Sequence, residues 1–191
     1  MKLYGSQTSP YVRRIRLLLA DTPHQFINLN IFAGQDRETL ASLNPTLRIP
    51  MLEDNGQVIF DSGVIYRYLA TKLGLANLSW YQENQLTVIN AVNDSLVMLL
   101  QLNRSGFDTN DDKLFFNLQR ERVATSLYVL EQQAANGEFA NWNYVAMALY
   151  SLLDWTLFRE LLELDDYPSL LAFVAQNSEQ GAIDDTNPRK G

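Results

Sequence analysis

The stretch Leu3-Tyr4-Gly5-Ser6-Gln7-Thr8-Ser9-Pro10-Tyr11-Val12-Arg13-Arg14-Ile15-Arg16 decides how the rest of the chain is read. It combines a short strand, a turn and a helix opened by Ser9 and Pro10. Serine is a favoured N-cap because its side-chain oxygen accepts from a backbone N–H one turn inside the helix. Proline suits the first helical position, where its missing N–H costs nothing. The helix dipole places partial positive charge at this end, so the Ser9 hydroxyl stands where an anion is favoured. On its own the pattern is met by a well-capped helix. A binding role requires other residues to converge on the same point.

Working outward, residues 1–75 alternate between period-2 and helical patterns. The spacing predicts strands at 2–5, 25–30, 50–53 and 57–60, and helices at 10–20, 36–42 and 62–73. Asp54-Asn55-Gly56 between the last two strands is a hairpin turn, since Asn-Gly accepts positive φ. Two strands joined by a helix are parallel by the right-handed crossover rule, whereas the hairpin is antiparallel. The expected fold is therefore α/β: a thioredoxin-like N-terminal domain with a four-stranded mixed sheet and helices on its faces.

Beyond Gly74-Leu75-Ala76-Asn77 the strand patterns stop. Helices are predicted over 80–103, 111–136, 142–154 and 157–163, with a last one from about Pro168, capped by Asp165-Asp166. The polar tail 181–191 is expected along the surface. The domains are thus 1–75, thioredoxin-like, and 80–191, all-helical, joined by a linker at 75–79.

Composition narrows the function. The 191 residues are 47% hydrophobic and 19% charged, as in an ordinary globular protein. Apolar runs such as Leu96-Val97-Met98-Leu99-Leu100 are too short to span a bilayer, and Met1-Lys2-Leu3-Tyr4 resembles no secretory signal. A cytoplasmic location, with no membrane partner, is expected. There is no cysteine, which excludes disulfides, thiolate metal sites and an enzyme thiol nucleophile. The single histidine, His24, reads as a loop imidazole rather than a metal ligand or a triad member, so no metal is expected. The net charge of −7 argues against nucleic acid as a partner. Residues 1–73 hold eight Lys/Arg against six Asp/Glu, and the remainder seven against sixteen, so the N-terminal third suits a small anionic ligand.

Two further places join Ser9. Arg48-Ile49-Pro50-Met51 puts a proline at the start of a strand. It is either a plain strand boundary or a cis X-Pro bond that turns the preceding backbone outward. Asp61-Ser62 opens a helix. It is either a cap, or a pair in which hydroxyl and backbone N–H groups take a carboxylate while the Asp accepts from an ammonium group.

Ser9-Pro10-Tyr11-x-x-Arg14-Ile15-Arg16, Asn44-Pro45-x-x-x-Ile49-Pro50-Met51-Leu52 and Asp61-Ser62-x-x-Ile65-x-x-Tyr68-Leu69, in that order, resemble the glutathione transferase superfamily. Tyr167-Pro168-Ser169-Leu170-Leu171-Ala172-Phe173 and Thr186-Asn187-Pro188-Arg189 are similar to its late helix and tail. The serine followed by Pro-aromatic resembles the serine-type, bacterial-like cytosolic members. The resemblance implies a homodimeric transferase that conjugates glutathione, its co-substrate, to a small hydrophobic electrophile in detoxification chemistry. It implies that Ser9 hydrogen-bonds the glutathione sulfur and favours its thiolate. Ile49 would offer backbone to the cysteinyl unit, with Pro50 cis, and Asp61 and Ser62 would hold the γ-glutamyl end. Arg48 or Arg13 would face a ligand carboxylate. Tyr4 is a rival thiol activator, ranked below Ser9. Tyr11 and Phe107, with Leu99 and Asn103, are candidates for the electrophile site. The superfamily's Ser/Thr-x-x-Asp capping box is absent at Ala140-Asn141-Trp142-Asn143, where Asn141 is the expected cap. The alternative is a non-catalytic adaptor or regulatory protein on the same scaffold, binding a protein partner.

Overall fold

In a computed structural model, residues 1–190 are described; Gly191, the end of the expected tail, lies outside the described residues. Strands β1 (Lys2–Gly5), β2 (Gln25–Asn28), β3 (Met51–Asp54) and β4 (Gln57–Phe60) form one sheet in the order β2-β1-β3-β4. β1 and β2 are parallel, and the other two pairings are antiparallel. Asn55 and Gly56 both take positive φ, at 50° and 78°, as a tight hairpin turn demands.

Alternation along the strands sorts the two faces. Tyr4 and Met51 point to one side and form a cluster with Leu29 and with Leu40 of α2 (Gly34–Leu43). Leu3, Leu52 and Ile59, paired in one row, point to the other side and are 0–6% exposed. Helices α1 (Pro10–Leu18) and α3 (Ser62–Leu73) pack on each other, and α3 also packs on β3 and β4. Gly5 ends β1 because the chain passes very close to α1: a Cβ there would lie 2.4 Å from Val12 Cγ2. β2 ends two residues sooner than its pattern predicts. The Asp36 carboxylate accepts from Asn30 N at 2.8 Å and turns the chain into α2.

The helical part comprises α4 (Trp80–Arg104), α5 (Leu114–Ala135), α6 (Tyr144–Phe158) and α7 (Pro168–Asn177). α4 opens with a complete capping box between Ser79 and Gln82. α6 is the buried centre, with Leu149, Leu152 and Leu153 all at 0% exposure.

Three expectations are corrected here. No separate helix covers 157–163: α6 runs to Phe158, and the chain then turns at Glu160, whose φ is 52°. The cap of α6 is Asn143, not Asn141. Its Oδ1 accepts from Val145 N and Ala146 N at 3.0 and 3.1 Å, and Ala146 has no side chain to complete a box. Helix α7 is capped by the Glu131 carboxylate of α5 rather than by Asp165-Asp166. Glu131 accepts from Ser169 N and Leu170 N, each at 2.9 Å, while itself only 8% exposed.

The chain divides into two compact units: Met1–Asn77 together with the tail from Ser178 onward, and Leu78–Asn177. The tail therefore groups with the sheet unit, not with the helical residues 80–177 as its position in the chain suggested. Nor does it lie loosely on the surface. Ile183 and Thr186 are 5% and 3% exposed, because side chains of α1 bind the tail's carbonyl groups.

Candidate functional site

The sheet register brings the three motifs together. Tyr4 pairs with Met51, and Met51 with Phe60. The exit of β1, the entry of β3 and the exit of β4 are therefore side by side at one end of the sheet. Ser9 follows the first, Ile49-Pro50 precedes the second and Asp61-Ser62 follows the third. With strands about 4.8 Å apart, this row spans roughly 10 Å. The N-termini of α1 and α3 open at the same end and give it partial positive charge.

Ser9 is the N-cap of α1, with φ −86° and ψ 127°, and its Oγ accepts from Val12 N at a long 3.4 Å. A hydroxyl has two lone pairs and one proton. The cap uses a lone pair, and among the described residues the proton meets no acceptor. The preceding loop is tied down by Ser9 N to Ser6 O at 3.0 Å and by Gln7 N to Asn28 Oδ1 at 2.9 Å.

The Ile49–Pro50 bond is cis. Of the two readings of this proline, the plain boundary is the one that falls. Asn44, 1% exposed, donates from Nδ2 to Arg48 O at 2.8 Å and accepts at Oδ1 from Thr46 N and Oγ1 at 2.9 Å. The Asn44-Pro45 motif thus braces the loop that leads to the cis bond. Ile49 is half-buried against the cluster under α2, and Arg48 is exposed.

Asp61 caps α3 through one carboxylate oxygen, Oδ1, which accepts from Gly63 N at 2.9 Å and Val64 N at 3.1 Å. Its φ of 74° is left-handed, a region that non-glycine residues visit at a cost. Oδ2 has no partner among the described residues, and Asp61 is exposed. Ser62 is 5% exposed.

Two of the sequence candidates are committed elsewhere. Tyr4 is 7% exposed, and its hydroxyl donates to Glu53 Oε2 at 2.6 Å. Burial, then that carboxylate, pushes its pKa above the ordinary phenol value. Arg13 is 2% exposed and donates to Thr186 Oγ1 and Ile183 O, both at 3.3 Å. Tyr11 is half-buried, with the Arg14 guanidinium 5.1 Å from its ring centre. Phe107 belongs to the other unit, in the turn after α4, and is 55% exposed.

Gln7 and the tail residues Ile183, Thr186 and Asn187 carry no site role in the sequence reading, although Thr186-Asn187 stands in the tail that resembles the superfamily's. The available signals were a solitary isoleucine in a polar tail and three arginines on a helix with one apolar face. Among the described residues, no group of His, Cys, Asp and Glu is placed to hold a metal ion. No helix is long and apolar enough to cross a membrane among the described residues.

The family model described as "Glutathione S-transferase, N-terminal domain" matches residues 3–76. Glutathione S-transferase hmp2 of Hypomyces subiculosus is 38% identical over 73 residues, which are 38% of this chain and 34% of that protein. This alignment therefore spans about a third of its relative. The GST-like protein YibF of Escherichia coli K12 is 28% identical over 203 aligned positions that cover both chains completely. Among solved structures, a glutathione transferase family member from Pseudomonas fluorescens Pf-5, with bound glutathione, superposes with a TM-score of 0.80 at 25% identity, covering 98% of each chain. A glutathione S-transferase from Methylobacillus flagellatus KT shares the fold at 21% identity, with a TM-score of 0.84 over 97% of this chain and 98% of its own. Residues 3–76 thus match the glutathione S-transferase N-terminal domain in sequence, and nearly the whole chain shares the fold of solved glutathione transferases.

Proposed function

We propose that the protein binds glutathione across the end of its sheet and transfers the glutathione thiol to a small hydrophobic electrophile. The observation that carries this reading is the row formed by Ser9, the cis Ile49–Pro50 bond and Asp61-Ser62 at one sheet end. An extended tripeptide is about 10 Å long, which matches the span of that row. The bound glutathione in the Pseudomonas relative supports the choice of ligand.

In this reading the Ser9 proton is donated to the sulfur. A charge-assisted bond at a helix N-terminus favours thiolate, lowering a thiol pKa of about 8.5 towards neutrality. The Ile49 backbone pairs with the cysteinyl unit. Asp61 Oδ2 accepts from the γ-glutamyl ammonium group while Ser62 and the first turn of α3 face its carboxylate. Arg48 is the arginine left for a second ligand carboxylate, since Arg13 is taken up by the tail. Tyr4 is a strut of the core, its proton already held by Glu53. Tyr11, next to Pro10, remains the proposed contact for the electrophile on the sheet unit.

The thiolate attacks the electrophilic carbon, the sulfur–carbon bond forms, and the leaving group departs with its electron pair. Retention on immobilised glutathione, followed by conjugation of an activated aryl chloride, tests this. The wild-type protein is expected to be retained and active. Ser9→Ala is expected to be retained but to lose about a hundredfold in kcat/KM. Neither retention nor turnover would leave the adaptor as the better reading. We further infer a homodimer, which sedimentation velocity checks.

A further inference from the structure

Helix α1 and the loop before it give three side chains to the C-terminal tail. Gln7 Nε2 donates to Asn187 O at 3.1 Å. Arg13 donates from Nε to Thr186 Oγ1 and from Nη2 to Ile183 O, both at 3.3 Å. Arg16 Nη2 donates to Asp185 O at 2.9 Å. The tail holds its own shape through Thr186 Oγ1, which donates to Ala182 O at 2.7 Å, and through Lys190 and Asp184 at 2.6 Å.

These bonds enclose Ser9 from both sides. Gln7 lies two residues before it, in the loop that also gives Ser9 N its bond to Ser6 O. Arg13 lies one helical turn after it and returns a backbone bond to Ser9 O at 3.0 Å. Arg13 is 2% exposed, and the acceptors shown for it are a hydroxyl and a carbonyl of the tail. A planar, always-charged guanidinium fixes orientation through its fork of donors, which a lysine does not reproduce. The cap bond of Ser9 is only 3.4 Å long, so local capping alone holds the hydroxyl weakly.

We propose that the C-terminal tail is a latch that orients the Ser9 hydroxyl, with Gln7 and Arg13 as the positioning residues through which it acts. The inference rests on the reading of Ser9 as the group that faces the glutathione sulfur. Neither Gln7 nor Arg13 touches the thiol. They fix the loop and the first turn of α1, so that the Ser9 proton stays aimed at the end of the sheet.

The test uses the full-length protein and glutathione itself, read by the ultraviolet absorbance of bound thiolate across a pH series. In Gln7→Ala and in Thr186→Val the midpoint of thiolate formation is expected to rise by about one unit, a tenfold loss of thiolate below it. Affinity for glutathione measured below the wild-type midpoint, where the thiol form binds, is expected to change by less than about threefold, since the contacts to the peptide are untouched. Arg13→Lys is expected to fall between wild type and Thr186→Val. Ser9→Ala raises the midpoint too, and adding Gln7→Ala to it moves the midpoint no further, as two parts of one device behave. Gln7→Ala removes one peripheral side-chain bond and serves if Thr186→Val does not fold. A lowered melting temperature with an unmoved midpoint overturns the latch alone, leaving the tail as packing. Bound glutathione that shows no thiolate band in the wild-type protein overturns the Ser9 reading, and the latch with it.

Discussion

The two ends of the four-stranded sheet are built from the same residue types and treat them in opposite ways. At the hairpin end each carboxylate is met by a phenol and an ammonium group. Asp54, 7% exposed, accepts from the Tyr68 hydroxyl at 2.6 Å and from the Lys72 ammonium, which joins α3 to β3. Glu53 accepts from the Tyr4 hydroxyl at 2.6 Å and from Lys2 at 3.2 Å. At the other end the polar groups are half-used. Ser9 spends a lone pair on its cap and keeps its proton; Asp61 spends one oxygen and keeps the other. Folding favours pairing every polar group that leaves water. A hydroxyl with its proton unspent and a carboxylate with no ion pair among the described residues, both held as helix caps at one end of the sheet, are what the proposed ligand site rests on.

This contrast breaks most sharply at Ser9. Ser9→Ala is expected to cost about a hundredfold in kcat/KM, yet only about 1 kcal/mol of stability, the usual value of an N-cap. Steady-state kinetics beside a denaturant melt checks it; comparable losses in both would make Ser9 a cap and nothing more. Asp61→Asn keeps the acceptor for Gly63 and Val64 but removes the charge. Calorimetric titration should find glutathione binding weaker by about tenfold, with an unchanged melting temperature. At the hairpin end the expectation is reversed. Gly56→Ala, at a φ of 78° with open space around it, should lower stability by about 1 kcal/mol and leave glutathione affinity alone.

The smallest effect is one of pH. Hydrogen bonds from Lys72 and then Tyr68 hold the Asp54 carboxyl below its ordinary value of 3.8. A depressed carboxylate contributes stability that is complete above the unfolded pKa and is lost as pH falls through the folded one. Glu53, lowered by Tyr4 and then Lys2, acts in the same direction. Asp54→Asn should therefore melt lower than wild type at neutral pH and lose less when the buffer is taken below about pH 4. Parallel melting curves for the two proteins across that range would show that Asp54 is not what the acid titrates.

What could be read from the chain alone follows how local each signal is. Asn55-Gly56 announces its own turn, because only the backbone of those two residues has to comply. The parallel pair and the antiparallel hairpin follow from one crossover and one turn, and the three motifs can be set in order because they flank strands. The cap of α7 and the binding of the tail involve partners far off in the chain. Nothing near Pro168 shows that Glu131, 38 residues before Ser169, will take the place of Asp165-Asp166 as the cap. The pattern at 157–163 is helical enough, but Glu160 turns left-handed as the chain leaves the buried α6. In the tail, polar composition concealed that backbone carbonyls, which every residue has, would be the groups bound. The sequence leaves Arg13 and Arg48 equal candidates for a cation facing a ligand, since nothing near Arg13 shows that Thr186 comes to meet it.

The attachment of that tail also bears on how the protein is made. Gln7 and Asn187 are separated by 180 residues, and Arg13 and Thr186 by 173. On a ribosome, β1 and α1 emerge long before these partners. The four strands and the helical unit can form while α1 still lacks its acceptors, so the sheet unit is completed only after the helical unit has been made. Closing so long a loop is inexpensive once the intervening residues have folded, because the entropy of the open chain has already been spent. A nascent chain that has emerged only as far as α7 would hold its helical unit with its first helix still unfastened.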